Sequence, residues 1–206
     1  MSSETIPAPP AAPAPETNIQ PKATVQEYFA LERTSDVRHE YVDGEILAMA
    51  GETPTHNVIA GNLYYRLRVA FETRQCDAYI ENVRTRVSPT QYRYPDIAAL
   101  CGEARFDQEK PPSLLNPQVI FEVLSPSTEG SDRDEKFTEY QQLSAVTDYI
   151  LVAQDRVEVT HYTRQSARQW MVIIYVDLSD VLSLRSLEVS LTVADVYRKT
   201  ALAAVG

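Results

Sequence analysis

The sequence has few of the residues that build zinc sites or disulfide scaffolds. It contains two cysteines, three histidines and one tryptophan in 206 residues. Cys76 and Cys101 show no metal-ligand spacing and the histidines lie far apart, which excludes a structural zinc site of the usual kind. The expectation for the two cysteines is a pair of reduced, partly buried thiols in a cytoplasmic protein.

Long apolar stretches are missing as well. No run approaches the roughly 18 apolar residues from which a membrane-spanning helix is built. Residues 1–5 contain neither the basic nor the apolar region of a secretory signal peptide. The sequence therefore predicts a cytoplasmic protein without a membrane segment.

Basic residues are scarce relative to acidic ones. The chain has 19 lysines and arginines against 29 aspartates and glutamates, and its net charge is −10. This balance excludes a protein that holds nucleic acid by bulk positive charge, because phosphate contacts need a basic surface. An enzyme with a local basic groove remains compatible with it, since a bound cation would reverse the field of an acidic site.

Two regions differ in composition. Residues 1–21 are rich in alanine and hold six of the thirteen prolines, which predicts a disordered tail that cannot bury a core. The tail has two acids and no basic residue, which leaves −8 of the net charge to residues 22–206. With 44% hydrophobic residues in the chain, that longer region is expected to fold as one domain.

Local signals predict the helices and the first hairpin. A capping box formed by Thr24 and Glu27 predicts a short helix. Thr53 and Pro54 predict the start of a long helix that continues to about residue 73. Asp43-Gly44, between two alternating runs, predicts a two-residue hairpin turn.

Apolar and alternating runs predict the strands. They lie at 83–87, 94–100, 118–125, 149–153, 157–162 and 171–176, and a short helix capped by Thr192 is expected to follow. Strand 83–87 is expected to pair with strand 94–100 as a hairpin. Helices that alternate with such strands predict an α/β fold with a mixed sheet.

Three ionisable residues occur where their charge would be costly. Asp96 opens an apolar strand, and Glu122 shares one face of strand 118–125 with two aliphatic side chains. Lys136 lies on a helical stripe that should face the sheet. A strand cap, a buried salt-bridge partner and a solvated lysine are the ordinary interpretations. Two carboxylates and one ammonium are also the minimum set for metal-assisted phosphodiester hydrolysis.

The residues around these groups resemble one protein family. Pro95-Asp96, the segment Glu122-Val-Leu-Ser-Pro-Ser-Thr128, and Lys136 fourteen positions after the glutamate are similar to the Uma-two family of restriction-endonuclease-like proteins. That family belongs to the PD-(D/E)XK nuclease superfamily. The resemblance covers about residues 24–198. It implies an α/β restriction-endonuclease-like fold, with a central mixed β-sheet flanked by helices, for the whole of residues 22–206.

The resemblance also implies roles for the three residues. Asp96 and Glu122 would bind Mg²⁺ or Mn²⁺, and Lys136 would orient the attacking water and stabilise charge on the phosphate. The usual lysine of the superfamily lies two residues after the glutamate, where this chain has Leu124. Lys136 would therefore have to reach the same point from the following helix.

Two further residues could belong to the same site. Glu45, just after the hairpin turn, resembles the family's N-terminal acid and could supply a third catalytic carboxylate; a surface acid of the hairpin is the alternative. His56 lies on the apolar face of the long helix and could face the site. A histidine satisfied at the helix start is the alternative.

These observations favour a metal-dependent endonuclease that hydrolyses phosphodiester bonds of nucleic acid, with DNA as the expected substrate. The alternative is a non-catalytic nucleic-acid-binding or protein-interaction module on a nuclease fold, which the acidic body and Leu124 favour. An enzyme that acts on another phosphodiester stays open. A homodimer is compatible with this function, because cutting both strands of a duplex favours twofold symmetry, but no residue pattern indicates one.

Overall fold

The computed structural model describes residues 22–49, 51–125 and 129–204. The predicted tail, residues 1–21, lies outside them. The helices are α1 Val25–Glu32, α2 Pro54–Phe71, α3 Glu129–Ser131, a π-helical segment Asp132–Lys136, α4 Phe137–Tyr140, α5 Val193–Val196 and a 3₁₀ turn Ala201–Ala204. The strands are β1 His39–Val42, β2 Glu45–Ala48, β3 Cys76–Ile80, β4 Thr85–Ser88, β5 Gln91–Arg93, β6 Ile97–Cys101, β7 Val119–Leu124, β8 Asp148–Ala153, β9 Val159–Ser166, β10 Gln169–Tyr175, β11 Val181–Leu184 and β12 Val189–Thr192.

A six-stranded mixed sheet forms the centre of the fold. Its strand order is β10-β9-β8-β7-β6-β3. β7 and β8 are parallel, and the other neighbours are antiparallel. The α/β fold with a central mixed sheet flanked by helices, which the sequence predicts, is confirmed.

The two faces of β7 lie in different hydrophobic cores. Val119, Phe121 and Val123 pack in a core that includes Ile59 and Leu63 of α2. The opposite face contributes to a second core, with Tyr140 of α4 and Tyr149 of β8. The period-2 alternation predicted for this strand is therefore confirmed, and Glu122 lies on the α4 side.

A second sheet of four strands, in the order β2-β1-β5-β4, is formed by strands from the first half of the chain. The Asp43-Gly44 turn pairs Val42 with Glu45, as the sequence predicts. α1, which begins with the predicted capping box of Thr24 and Glu27, packs its aromatic side chains against this sheet. The small sheet holds β1 and β5 in place, and both contribute charged side chains to the site described below.

The predicted pairing of strand 83–87 with the Asp96 strand is wrong. β4 pairs with β5 in the small sheet, whereas β6 pairs with β3 and β7 in the large one. The short connection through Pro89 and Thr90 closes β4 onto β5 first. The chain then changes sheets at Tyr94 and Pro95, where proline removes a backbone donor from any continuing ladder.

The prediction of two reduced thiols is also wrong. Cys76 and Cys101 form a disulfide across the antiparallel pair β3–β6, where they stand directly opposite each other. The two cysteines are 25 residues apart in the sequence and meet because of the register in which β3 and β6 pair. No local sequence signal indicates this disulfide. The thiols therefore no longer support a reducing compartment. Among the described residues, no helix has the length and apolarity needed to cross a bilayer.

Reduction of this disulfide is expected to lower the free energy of unfolding by about 3 kcal/mol, because the bond closes a loop with a sequence separation of 25. The measurement is urea denaturation of the wild-type protein with and without a reductant. A double variant, Cys76→Ser with Cys101→Ser, serves as the control because its urea midpoint should not change when the reductant is added. Equal midpoints for the reduced and oxidised wild type would contradict the prediction.

Candidate active site

Asp96 and Glu122 lie on adjacent strands of the large sheet. Asp96 directly precedes β6, Glu122 is in the middle of β7, and the register sets Ile97 opposite Phe121. The Asp96 carboxylate crosses to the neighbouring strand, where its Oδ2 accepts a hydrogen bond of 2.6 Å from the backbone N–H of Val123. The two predicted metal ligands are therefore anchored to the same part of the sheet.

The π-helical segment brings Lys136 to Glu122. The Lys136 Nζ lies 3.3 Å from Glu122 Oε1 and 2.8 Å from Asp132 Oδ1, four residues earlier. The hydroxyl of Tyr149 donates a hydrogen bond of 2.8 Å to the Asp132 carbonyl and ties the segment to β8. A π-helical turn is a frequent feature of functional sites. The ammonium thus reaches Glu122 from the following helix although position 124 holds leucine.

Glu122 is an acid in a strongly unfavourable environment. Its side chain is 3% exposed, and burial raises its pKa well above the usual value. The Lys136 ammonium opposes that shift, whereas Asp132, Asp96 and Glu40 reinforce it. For Lys136, burial favours the neutral amine, but the surrounding carboxylates outweigh burial and hold its pKa well above the ordinary range. Lys136 is therefore protonated, in a site where acids outnumber cations.

His56 contacts Asp96 rather than facing solvent. Its Nε2 lies 3.1 Å from Asp96 Oδ2 and 3.6 Å from Glu52 Oε2. Burial opposes a charge on the ring, but the hydrogen bond and the charge of Asp96 raise the pKa of His56 above its ordinary value. The Oδ1 atom of Asp96 makes no hydrogen bond with the described residues, so it is the oxygen available to a ligand.

Glu45 lies away from these groups. It is exposed on β2, and its side chain makes no hydrogen bond or ion pair with the described residues. The acid near Lys136 on this hairpin is instead Glu40 of β1, whose Oε1 lies 3.9 Å from Nζ. Sequence reasoning missed Glu40. The signal in the sequence was its position in the hairpin. Glu40 stands opposite Leu47, so a charged residue is paired with an apolar one.

A buried ion-pair network supports Glu40. Arg93 of β5 makes two hydrogen bonds of 2.7 Å to Glu139 and one of 2.6 Å to Glu40 Oε2. The other oxygen of Glu40 accepts a bond of 3.1 Å from the backbone N–H of Tyr94. Burial acts against the charge of Arg93, but the two glutamates raise its pKa above the usual value. The network therefore holds the Glu40 carboxylate in place near Lys136.

A cavity of about 500 Å³ opens beside Asp96. Its lining includes Arg38, Glu52, Asn57, Glu81 and Asp96, with further contributions from Met49, Thr53, Pro54 and Asn82. The Asp96 side chain is 14% exposed, far more than that of Glu122. A substrate would therefore reach the site from the Asp96 side.

The donor set matches a hard cation. Among the described residues, no three side chains of histidine, cysteine, aspartate or glutamate are grouped as a preformed metal site. Mg²⁺, however, is commonly held by one or two carboxylates, with water and substrate phosphate as the remaining ligands. Asp96 and Glu122 are the two carboxylates that could hold such an ion. Burial is the main cause of the raised pKa of Glu122, and the neighbouring carboxylates add to it. A divalent cation would offset the negative charge of those carboxylates.

Two curated proteins of Synechocystis sp. resemble the chain along most of its length. The uncharacterised protein slr1290 is 32% identical over 86% of this chain and 93% of its own length. The uncharacterised protein sll1609 is 31% identical over 72% of this chain and 85% of its own length. Neither name assigns an activity.

A solved structure and a family model complete the comparison. The crystal structure of a protein from Anabaena variabilis, titled a "putative nuclease", superposes with a TM-score of 0.65 over 79% of this chain and 91% of that one. At 16% identity this likeness shows the fold alone. The sequence model of the Uma2 family, described as "Putative restriction endonuclease", matches residues 25–194. The chain therefore belongs to the Uma2 family and has a nuclease-like fold.

Proposed function

We propose that this protein is a Mg²⁺- or Mn²⁺-dependent endonuclease that hydrolyses phosphodiester bonds of DNA. The observation that carries the proposal is the position of Lys136 Nζ, 3.3 Å from the buried carboxylate of Glu122. An ammonium delivered from the helix to this carboxylate, beside Asp96 on the next strand, supplies the three groups that such hydrolysis needs. The description of the Uma2 family as restriction endonucleases supports DNA as the substrate.

Each residue has a distinct role in this proposal. Asp96 and Glu122 would hold the cation, which, when bound, polarises the scissile phosphate and lowers the pKa of a bound water. Lys136 holds its proton on Nζ, orients the water that attacks phosphorus and stabilises the negative charge that develops on the phosphate oxygens. His56 occupies Oδ2 of Asp96 and so fixes the direction of the remaining oxygen. Asp132 holds the ammonium against Glu122.

The acidic surroundings make the cation essential to substrate binding. Glu52 and Glu81 line the cavity together with Asp96, and Arg38 is the basic residue of that lining. A phosphodiester would meet net negative charge there unless a divalent ion were present. Cleavage and substrate affinity are therefore both expected to require the metal.

The test is cleavage of double-stranded DNA, single-stranded DNA and RNA by the wild type and by Asp96→Asn. Cleavage should occur with Mg²⁺ or Mn²⁺, stop with EDTA, and fall to background in Asp96→Asn because a ligand oxygen is lost. Asp36→Asn is the matched control, since Asp36 is exposed and outside the site. Calorimetric titration with Mn²⁺ should show binding to the wild type and to the control variant, and none to Asp96→Asn.

Equal cleavage by the wild type and Asp96→Asn would overturn the proposal. Salt-sensitive binding of nucleic acid without any cation requirement would instead support a non-catalytic binding module. Hydrolysis of a small phosphodiester but of no nucleic acid would keep the chemistry and replace the substrate.

A further inference from the structure

One of the two outer strands of the large sheet, β10, presents an exposed apolar surface among the described residues. β10 is an edge strand, and its one neighbour among the described strands is β9. Met171, Val172, Ile173 and Ile174 are between 37% and 58% exposed. Because successive side chains point to opposite faces, apolar groups are uncovered on both faces of this strand.

The charge pattern of this strand is unlike that of the rest of the chain. Residues 169–176 contain no charged side chain, in a protein of net charge −10. Edge strands of soluble proteins are normally blunted by charges, proline or short length, because their unpaired N–H and C=O groups accept another strand. β10 is seven residues long, from Gln169 to Tyr175, and has no charged residue and no proline. The one irregularity in its pairing with β9 lies at the start of the strand, between Gln169 and Trp170.

We propose that β10 pairs with β10 of a second copy of this chain, antiparallel and about a twofold axis, so that the two large sheets join into one. The partner must offer an extended strand, since backbone groups along the edge need backbone groups opposite them. It must also offer apolar side chains on both faces. A second copy of β10 meets both requirements with the same surface, as a twofold interface demands.

The residues at the two ends of the strand favour this arrangement. Arg168 precedes β10, Asp177 follows it, and both are exposed. A twofold axis in an antiparallel pair sets one residue opposite itself, which here is Val172 or Ile173. In either register, the residue opposite Asp177 of one copy is within one position of Arg168 of the other, and the twofold axis repeats this at the other end. Both residues lie outside β10, so the alternation of faces along the strand does not separate their side chains. A parallel pairing would instead bring like charges together.

The proposal does not depend on the nuclease reaction, so its test is the oligomeric state. The wild type should have a mass about twice the 23.2 kDa of one chain by light scattering during gel filtration. Val172→Lys combined with Ile174→Lys should give the mass of one chain, because four lysines would face each other along the joined edge. Val69→Lys is the matched control, since Val69 of α2 is as exposed as Val172 but lies elsewhere. A wild-type monomer, or an edge variant that stays dimeric, would overturn the proposal.

Two further measurements remain informative if the double lysine variant fails to fold. Arg168→Glu alone and Asp177→Lys alone should each weaken dimerisation by roughly 2- to 30-fold, and the combined exchange should restore it, because two exposed ion pairs are broken and then rebuilt. Val172→Cys or Ile173→Cys should form an intermolecular disulfide under mild oxidation by diamide. Val69→Cys should not. Failure of both cysteine variants to cross-link would exclude the antiparallel pairing.

Discussion

Replacing Lys136 by methionine is expected to lower the rate of metal-dependent DNA cleavage by roughly 10²- to 10³-fold, the usual effect of removing one preorganised donor. Methionine is of similar length and fills the space of the aliphatic stem. The variant should be less stable, because Asp132 loses its cation as well. It should still fold, since Glu122, whose pKa burial already raises, can hold a proton when the ammonium is gone. The measurement is single-turnover cleavage, with circular dichroism as the check on folding.

Two further variants test whether the rate depends on an ammonium group beside Glu122. Lys110→Met, at an exposed loop position, should retain the wild-type rate. Leu124→Lys combined with Lys136→Met moves the ammonium to the position that the wider nuclease superfamily uses, on the same face of β7 as Glu122. That combination should cleave faster than Lys136→Met alone. An unchanged rate in Lys136→Met would show that the ammonium is structural and would remove Lys136 from the reaction.

Replacing Arg93 by methionine is expected to reduce the free energy of unfolding by about 3–5 kcal/mol, the effect of removing one partner from a buried ionic network. Arg93 is 2% exposed, and its loss leaves the carboxylates of Glu139 and Glu40 without their shared cation. Desolvation of those acids, rather than the loss of three hydrogen bonds, makes up most of this cost. Urea denaturation followed by circular dichroism measures it.

The controls for Arg93 test that explanation. Arg86→Met, on the adjacent strand β4, removes a half-buried guanidinium that stacks on Tyr92 and should cost much less. Arg93→Met combined with Glu139→Met should recover stability relative to Arg93→Met, because an uncompensated charge is replaced by an apolar group. Equal stability of the single and double variants would point to lost packing instead.

The sequence predicted those features of the fold that depend on neighbours along the chain. The capping box at Thr24, the hairpin turn at Asp43-Gly44 and the alternation around Glu122 each involve a few consecutive residues, and each is confirmed. Local rules cannot choose which strands pair. The sequence therefore predicts the wrong partner for strand β4, although residues 85–87 of the predicted strand do lie in it.

The same division holds within the candidate site. Asp96, Glu122 and Lys136 could be selected from the sequence because an acid in an apolar strand, or a lysine on an inward helical stripe, is conspicuous by itself. Glu40 and Arg93 could not be selected in this way. They are 53 residues apart and meet only because β1 and β5 pair in the small sheet.

The family, the α/β class and the three candidate ionisable residues can be predicted from the sequence, because each is carried by residue types at fixed spacing. The tertiary structure alone decided that Lys136 reaches Glu122, that His56 binds Asp96, that the two cysteines are joined and that β10 forms an uncovered edge. The physical reason is that contacts between distant segments depend on which strands pair and in which register. Those choices are settled by the burial of the whole core, not by any one stretch of the chain.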